Sequence, residues 1–386
     1  MKLGRTVLPA LVALVAMNVA CGSSKKTSSS ASSSSTSSAA AVAPAATSSA
    51  AASAPAAAAG ACKKGTTKKI AFMLKQQTAF RYLHADVPFF KKTAEAAGYE
   101  VLVQSAENDA NKQVAQAENV ITQKVDAIVI QPVDFNVAGA IADKATAAGI
   151  PIASYDDLIL NSKIAAFIGR DPKEGGRVAA KAVLAQVPKG NYVLIGGDAG
   201  QTGSTQMQEG YKDVLKPAVD SGDVKIVADQ FTPAWKTEPA QAEAENALTQ
   251  NKNKVDAFLV SYDGMSLGVL QAVEGAKLKA GSIPITGQDM ELAAMQAIVD
   301  GRQFGSVWPA PDEMAVAGAK TAVKMANCED LGATDTINNK AADVPWVKTP
   351  ISFVSTKEIA DFACKHDYWQ KVDEVYKNAP DKKPSC

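Results

Sequence analysis

The 386-residue chain contains very little histidine and carries no net charge of either sign. His84 and His366 are its only histidines, which argues against a zinc site and against histidine acid–base catalysis, although catalysis by carboxylates stays open. Lysine plus arginine and aspartate plus glutamate each number 40, so there is no overall basic surface to hold nucleic acid. We therefore expect no metal, no cofactor and no nucleic-acid partner.

The sequence also lacks the short motifs of nucleotide-binding sites. The glycine-rich stretch Gly196–Gly203 has neither the Gly-Lys-Ser/Thr ending of a P-loop nor the spacing of a dinucleotide fingerprint. No calcium-binding loop is found either. A glycine-rich turn between a strand and a helix is the better interpretation of Gly196–Gly203.

The first residues have the pattern of an export signal. Lys2 and Arg5 precede the apolar stretch Val7–Ala20, which is too short to span a membrane comfortably and is followed by Cys21. Small residues before a cysteine resemble a bacterial lipobox, so we expect a lipoprotein signal peptide at 1–21 and lipidation of Cys21. A plain secretory signal cleaved nearby is the alternative. Lipidation would anchor the exported protein to the outer face of the cytoplasmic membrane.

Residues 22–65 are almost all Ser, Ala, Thr, Pro and Gly. Such a segment cannot bury enough apolar surface to offset the entropy that ordering would cost. We expect a disordered tether with a mean reach of roughly 35–40 Å.

Export permits disulfide bonds, and four cysteines remain if Cys21 carries lipid. They are too scattered along the chain to form a metal-ligand cluster. Four cysteines allow three pairings, and the sequence alone does not choose among them. Our expectation is Cys328–Cys364 together with Cys62–Cys386.

From Lys68 onward, short apolar runs alternate with helical patterns. Runs that are apolar throughout are typical of strands buried on both faces, and alternation with helices predicts parallel sheets. The first series of predicted strands is Ile70–Leu74, Val101–Gln104, Ala127–Gln131, Pro151–Ser154 and Ala165–Ile168. The second is Tyr192–Ile195, Lys225–Ala228, Ala257–Val260 and Ile285–Thr286. Each series is long enough for its own core, so the fold class is α/β with two doubly wound lobes.

Polar residues follow several of these strands, at the edge of a parallel sheet where ligands bind. They are Tyr155-Asp156-Asp157, Gly169-Arg170-Asp171, Tyr262-Asp263 and Gly287-Gln288-Asp289. Carboxylates accept hydroxyl protons, and aromatic rings pack on the C–H faces of sugars. A cleft lined in this way suits a polyol.

An ordered series of motifs resembles the bacterial sugar-binding proteins of the ribose and D-xylose type. It runs from about Lys69 to Ile351. It includes Gly190-Asn191-Tyr192, Gly196-Gly197, Val214-Leu215-Lys216-Pro217, Asp220-Ser221-Gly222, Glu245-Asn246-Ala247-Leu248-Thr249, Gly287-Gln288-Asp289 and Asp343-Val344-Pro345. The resemblance implies the type I periplasmic-binding-protein fold, in which a three-segment hinge joins the lobes. It also implies a monomer that closes on one monosaccharide and then docks on the permease of an ABC transporter.

The same resemblance implies a division of the chain. The first lobe would hold 66–168 and 290–307, and the second lobe 169–289 and 308–354. Residues 355–386 would form an added helical tail.

Site residues follow from the resemblance position by position. An arginine and an aromatic residue in the first loop match Arg81 and Tyr82, the stacking tryptophan matches Trp235, and the Gly-Gln-Asp aspartate matches Asp289. A Tyr-Asp-Arg motif matches Tyr155-Asp156-Asp157, so an acid stands in place of its arginine.

Other matched positions differ from the family. Tyr262 stands for an asparagine, Gln201 for an aspartate and Pro309 for a lysine. The candidate ligand-binding residues are therefore Arg81, Tyr82, Asp156, Asp157, Gln201, Trp235, Tyr262 and Asp289.

Each candidate also has a structural interpretation. Asp156, Asp157 and Asp289 could cap helices, since Asp often does so. Tyr262 and Trp308 could wall the pocket or pack in a core. For the whole protein, the alternatives are a carbohydrate enzyme using paired carboxylates, a ligand-sensing subunit of a membrane receptor, and a binder of a non-sugar or cationic polyol ligand.

Overall fold

The structure is a computed structural model that describes residues 63–78 and 80–386. The predicted signal peptide, the lipidation site Cys21 and nearly all of the predicted tether lie outside the described residues. In the part that is described, no helix combines the length and the apolar composition needed to cross a membrane.

The first part of the chain alternates strands and helices, and all its strands are parallel. Its elements are β1 (Lys69–Leu74), α1 (Val87–Ala96), β2 (Glu100–Ser105), α2 (Ala110–Thr122), β3 (Ala127–Ile130), α3 (Phe135–Ala147), β4 (Ile152–Tyr155) and β5 (Ala166–Gly169). A π-helical turn, Tyr82–Asp86, leads into α1. Asp109 and Asp134 cap α2 and α3 by accepting hydrogen bonds from backbone amides of the first turn.

The middle of the chain builds a second parallel sheet. Its elements are α4 (Pro172–Gln186), β6 (Gly190–Gly196), α5 (Thr202–Asp220), β7 (Val224–Phe231), α6 (Thr237–Gln250), β8 (Ala257–Val260), α7 (Asp263–Gly275), α8 (Leu292–Val299) and β9 (Gly305–Trp308). The strand order is β7-β6-β8, and single bridges from Phe258 to Ile285 and from Gln288 to Val307 extend the pairing.

The chain then returns to the first sheet. The remaining elements are α9 (Pro311–Asn327), β10 (Asp335–Asn338), β11 (Asp343–Lys348), β12 (Ser352–Ser355), α10 (Ile359–Lys365) and α11 (Val372–Val375). The first sheet has seven strands in the order β10-β11-β5-β4-β3-β1-β2, with β10 antiparallel to β11. Strand β12 pairs antiparallel with β9.

Alternate residues of the central strands enter separate apolar clusters on the two faces of each sheet. In β1, Phe72 packs in one cluster and Met73 in another; in β6, Val193 and Leu194 divide in the same way. Each sheet is therefore covered on both sides, which confirms the predicted α/β fold of two doubly wound lobes.

The observed lobes divide the chain differently from our expectation. Residues 308–354 were expected in the second lobe, but α9 packs its apolar face, including Met314 and Ala319, into the first-lobe core. Strand β11 pairs with β5, the edge of the parallel run. Residues 290–307 were expected in the first lobe, yet Val307 packs in the second-lobe core. The expected division is therefore wrong for α9 and β11, which complete the first sheet, and for β9, while β12 pairs with β9 on the second-lobe side as expected.

The last residues form a helical segment with its own apolar cluster, here called the tail core. The tail core contains Ile359, Phe362, Trp369, Val372, Val375 and Tyr376 of the tail, Ala85 of the first lobe, and Met290, Met295, Ile298 and Trp308 from the segment before α9. The ring of Trp308 therefore packs in an apolar core.

A disulfide bond between Cys364 and Cys386 closes the tail. The expected pairing of Cys328 with Cys364 and of Cys62 with Cys386 is therefore wrong. The two bonded residues are 22 positions apart, and the folding of the tail brings their Cα atoms to 5.3 Å. Cys328 is disulfide-bonded as well.

Candidate functional site

Arg81 lies at the start of the turn after β1 and is held by two carboxylates. Its Nε and Nη2 atoms donate to the two oxygens of Asp86 at 2.9 and 2.8 Å, and Nη1 donates to Asp156 Oδ2 at 2.9 Å. Asp86 is fully buried and also accepts a hydrogen bond from the hydroxyl of Tyr155. The guanidinium is thus fixed in orientation before any ligand arrives.

Asp156 collects hydrogen bonds from three side chains. Besides Arg81, Arg170 Nη1 donates to its Oδ1 at 2.5 Å, and Gln131 Nε2 donates to its Oδ2 at 3.1 Å. Burial alone would raise the pKa of Asp156, but the charges of Arg81 and Arg170 outweigh it and hold that pKa well below its usual range. The carboxylate is therefore ionised at neutral pH. Its backbone has a φ of 62°, in the left-handed region where strain concentrates at functional sites.

Asp157 and Tyr82 flank this pair. Lys75 Nζ lies 2.8 Å from Asp157 Oδ2, and Gln131 Nε2 lies 3.3 Å from the same oxygen. The ring of Tyr82 is buried, with the guanidinium carbon of Arg81 5.3 Å from its centroid. Together these side chains form what we call the charged group of the first lobe. Its members are Lys75, Arg81, Tyr82, Asp86, Gln131, Asp156, Asp157 and Arg170.

The second lobe supplies an aromatic group. Trp235 Nε1 donates to Gln201 Oε1 at 3.1 Å, and the ring centroids of Trp235 and Tyr262 are 6.4 Å apart, edge to face. The hydroxyl of Tyr262 donates to Glu291 Oε1 at 2.7 Å. A side chain at Gly197 would collide with the indole of Trp235, so the glycine lets the ring lie directly on the backbone.

Asp289 interacts electrostatically with both the charged group and the aromatic group. It interacts electrostatically with Arg170, Arg81 and Asp156 of the charged group, and with Tyr262 and Glu291 of the aromatic group. Burial raises its pKa, and the two arginines only partly oppose that shift. Its φ is 96°, and its backbone amide donates to the carbonyl of Val307 at 2.9 Å. Asp289 is thus coupled electrostatically to polar residues of both groups.

Comparison with known proteins shows what kind of protein carries this arrangement. The family of the periplasmic binding protein domain matches residues 70–330. The chain is 37% identical over 291 residues to the D-xylose-binding periplasmic protein of Escherichia coli K12, covering 75% of this chain and 87% of the relative. It is 35% identical over 292 residues to the D-xylose-binding periplasmic protein of Haemophilus influenzae Rd, with the same coverage. The chain belongs to the periplasmic binding protein family.

A solved structure supports the same assignment. An ABC transporter solute-binding protein from Clostridium phytofermentans with bound β-D-glucose superposes with a TM-score of 0.69 at 26% identity, over 80% of this chain and 99% of that one. The resemblance found in the motifs is therefore confirmed. The family consists of solute-binding proteins.

In this periplasmic binding protein, helix capping does not explain the candidate aspartates. Asp156 and Asp157 follow β4 in a stretch that is not helical. The residue that precedes α8 is Glu291, not Asp289, and it makes no side-chain cap. The structure thus brings Arg81, Tyr82, Asp156 and Asp157 together on one side, and Gln201, Trp235 and Tyr262 on the other, joined by Asp289. Ligand contact by these eight residues stays a prediction.

The list of candidate ligand-binding residues omitted four polar residues of the site, although the sequence analysis had already placed Arg170 at a strand end. Lys75, Gln131 and Arg170 each directly follow a strand, namely β1, β3 and β5, and Glu291 lies two positions after Asp289. For Lys75, Gln131 and Arg170, the position at a strand end is the signal in the sequence that indicates a place in the site. Arg170 also supplies a cation beside Asp156, although the sequence position next to Asp156 holds an acid. Within the described residues, no group of three or more His, Cys, Asp or Glu side chains is arranged to hold a metal ion.

Proposed function

We propose that this protein is the solute-binding component of an ABC transporter and captures a small monosaccharide, a xylose-like pentose or a related sugar, in the cleft between its lobes. The single observation that carries the proposal is the ionised carboxylate of Asp156, which accepts hydrogen bonds from Arg81, Arg170 and Gln131 at the ends of neighbouring strands. The relatives named above, which are D-xylose-binding proteins, support the choice of sugar class.

The chemistry of the groups fits a polyol. Arg81 and Arg170 present N–H donors, Asp156 and Asp289 present acceptors, and a sugar hydroxyl can serve both at once. Trp235 is a half-buried ring that can stack on the C–H face of a pyranose. Because Arg81 and Arg170 are already hydrogen-bonded to Asp156, a ligand must replace those bonds closely, which favours a hydroxyl pattern of one shape.

Capture would proceed by hinge closure. The ligand first meets one lobe, and closure lets the other lobe complete its hydrogen bonds and expel water. The ligand shifts the population towards the closed form because that form binds it more tightly. The closed, loaded protein is the form that docks on the permease.

Envelope attachment belongs to the same proposal. We infer that the protein is tethered to the membrane by lipid on Cys21, on the grounds of the charged start, apolar run and small residues before that cysteine. We also propose that it works as a monomer, as the resemblance to the sugar-binding family implies. Incorporation of labelled palmitate into the full-length chain, and its loss in Cys21→Ser, is the expected result. A labelled Cys21→Ser protein would contradict lipidation at this residue.

Thermal unfolding in the presence of pentoses, hexoses, amino sugars and polyols tests the sugar assignment. A ligand at 100 times its Kd adds roughly 2.7 kcal/mol to the free energy of unfolding, which a melting curve detects readily. Xylose or a close pentose should give the largest shift. A shift only with an amino sugar would move the assignment to a cationic polyol, and no shift with any carbohydrate would contradict sugar binding.

Asp289→Asn provides the matched variant. Burial raises the pKa of Asp289, so its ionised form costs stability as the pH rises through that pKa. The asparagine variant should therefore melt higher than the wild type at neutral pH without ligand, yet lose at least about tenfold in sugar affinity, since a hydrogen bond to a charged group contributes roughly 1.5–3 kcal/mol. A variant that is destabilised but binds normally would contradict the role assigned to Asp289.

A further inference from the structure

The tail core touches both sides of the candidate site. Met290, which follows Asp289 directly, is fully buried in it, and Ala85, which precedes Asp86, is buried in it as well. Asp86 is the residue that holds the guanidinium of Arg81. A segment outside the residues matched to the family therefore packs behind residues from both polar groups of the cleft.

Trp369 is the residue of the tail that makes the most specific of these contacts. Its indole Nε1 donates a buried hydrogen bond to the carbonyl oxygen of Met290 at 2.7 Å. Asp289 and Met290 have φ values of 96° and 53°, so two successive non-glycine residues lie in the left-handed region. Such conformations cost free energy and persist only where surrounding contacts hold them. The bond from Trp369 is one contact that holds this segment.

The same indole contacts the loop that carries Arg81. The ring centroids of Trp369 and Phe80 are 5.1 Å apart in an edge-to-face arrangement, and Phe80 in turn stacks on His84 at 3.8 Å. Phe80 immediately precedes Arg81. One side chain of the tail thus touches the backbone next to Asp289 and the ring next to Arg81.

We propose that Trp369 is a positioning residue of the sugar site, which fixes the carboxylate of Asp289 relative to the guanidinium of Arg81 from behind the cleft. The inference rests on the proposed function, because it takes Asp289 and Arg81 to be ligand-binding residues. Trp369 does not touch the ligand in this account. Its effect on affinity passes through Met290 and Phe80.

Trp308 offers a matched control. Its ring lies 4.9 Å from that of Trp369 and belongs to the same tail core, but its indole Nε1, within the described residues, has no hydrogen-bond partner. Trp308→Phe and Trp369→Phe therefore remove the same ring area from the same cluster. Only Trp369→Phe also removes a hydrogen bond to the segment of Asp289.

Affinity for the sugar is the first measurement. Titration calorimetry of the full chain with D-xylose, or with whichever sugar gives the largest thermal shift, should show roughly tenfold weaker binding for W369F and a much smaller change for W308F, from the loss of one buried hydrogen bond. W369F should also lose more thermal stability than W308F, because it leaves the carbonyl of Met290 without its donor, whereas W308F removes an indole N–H that has no partner. Equal affinities for W369F and W308F would overturn the proposal.

Hydrogen exchange gives a readout that needs no ligand. The amide of Asp289 donates to the carbonyl of Val307, and the amide of Glu291 donates to Asp263 Oδ2, both at 2.9 Å. W369F should speed exchange of these two amides, and W308F should leave them close to the wild type. If no sugar binds the wild-type protein, the proposed function fails while faster exchange in W369F still supports the positioning role. Unchanged exchange in W369F overturns that role.

Discussion

At the scale of single residues, Asp156 is the centre of charge of the first lobe. Its two oxygens accept from Arg81, Arg170 and Gln131, and its side chain is only 8% exposed. Removal of this charge leaves two arginines facing each other without their shared partner. We expect Asp156→Asn to lower the free energy of unfolding by about 3 kcal/mol, as seen when one member of a buried ion pair is lost. Urea denaturation at neutral pH measures it.

Asp157→Asn is the control for that change. Its partner Lys75 and Asp157 itself are each about one-third exposed, so water screens the pair and the expected loss is below about 1 kcal/mol. Similar losses in the two variants would contradict the central role of Asp156.

The pH dependence of stability follows from the depressed pKa of Asp156. Its contribution is present above the pKa of the unfolded chain, near 3.9, and is lost as the pH falls through the lower native pKa. Between about pH 4 and pH 2 the wild-type protein should therefore lose more stability than Asp156→Asn does. Parallel curves for the two proteins in this range would show that Asp156 does not carry the effect.

Residues at strand ends could be predicted from the sequence because apolar runs fix where each strand stops. Asp156 and Asp289 were found in this way, and Arg170 followed a predicted strand equally clearly. Its role beside Asp156 was missed because the motif comparison expects the arginine at position 157, directly after Asp156, where this chain has an aspartate. Pairing in the structure depends on neighbouring strands, and β4 and β5 place residues 14 positions apart in contact.

At the scale of elements, helices α4 and α5 approach unusually closely through glycine. A side chain at Gly210 of α5 would collide with the carbonyl of Lys173, and one at Gly176 of α4 would collide with the carbonyl of Met207. Gly210→Ala should therefore separate the helices and cost about 1–3 kcal/mol, as overpacking does. Chemical denaturation of the ligand-free protein measures the loss.

Gly203 is the matched position on the same helix. The nearest atom to a side chain there is 3.9 Å away, at Pro172, which is an ordinary contact distance. Gly203→Ala should leave stability unchanged or raise it slightly, because alanine reduces the freedom of the unfolded chain. A loss equal to that of Gly210→Ala would mean that helix contact is not the cause.

Element types were predictable, but their assignment to lobes was only partly so. Parallel strands and covering helices follow from continuous apolar runs alternating with helical patterns. A helix followed by strands, such as α9 with β10 and β11, has the same pattern whichever sheet it completes. The lobe to which α9 belongs is decided by the packing of Met314 and Ala319 against the first-lobe core. That packing is a property of the folded structure and cannot be read from the pattern of the sequence.

At the scale of the whole molecule, the tail core joins the tail to Ala85 of the first lobe and to the segment before α9. The Cys364–Cys386 bond closes the loop that carries Trp369. In the chain-entropy account, a closed loop of this length stabilises by roughly 3 kcal/mol. We expect the double variant Cys364→Ser with Cys386→Ser to weaken protection of the tail amides in hydrogen exchange by a comparable amount.

The same variant should leave the core of the first lobe intact. Amides of β1 and β3 lie in a sheet that does not include the tail, so their protection should match the wild type. Equal loss of protection in the tail and in β1 would contradict a local role for the disulfide. The sequence predicted a helical tail at 355–386 but not its bond, because four cysteines leave three pairings open and only folding brings one pair together.

The discontinuous first lobe has a consequence for biosynthesis. A ribosome makes β1 to β5 first, yet the helix that covers their sheet and the strand that pairs with β5 come only after α4 to α8 and β6 to β9 of the second lobe have been made. Until then β5 presents an unpaired edge and Phe72 and Phe90 lack α9, the kind of exposed surface that draws nascent chains into aggregation. A chaperone, or an export route that keeps the chain unfolded, would therefore have to protect the first lobe during a defined interval, between the emergence of Gly169 and that of Lys348.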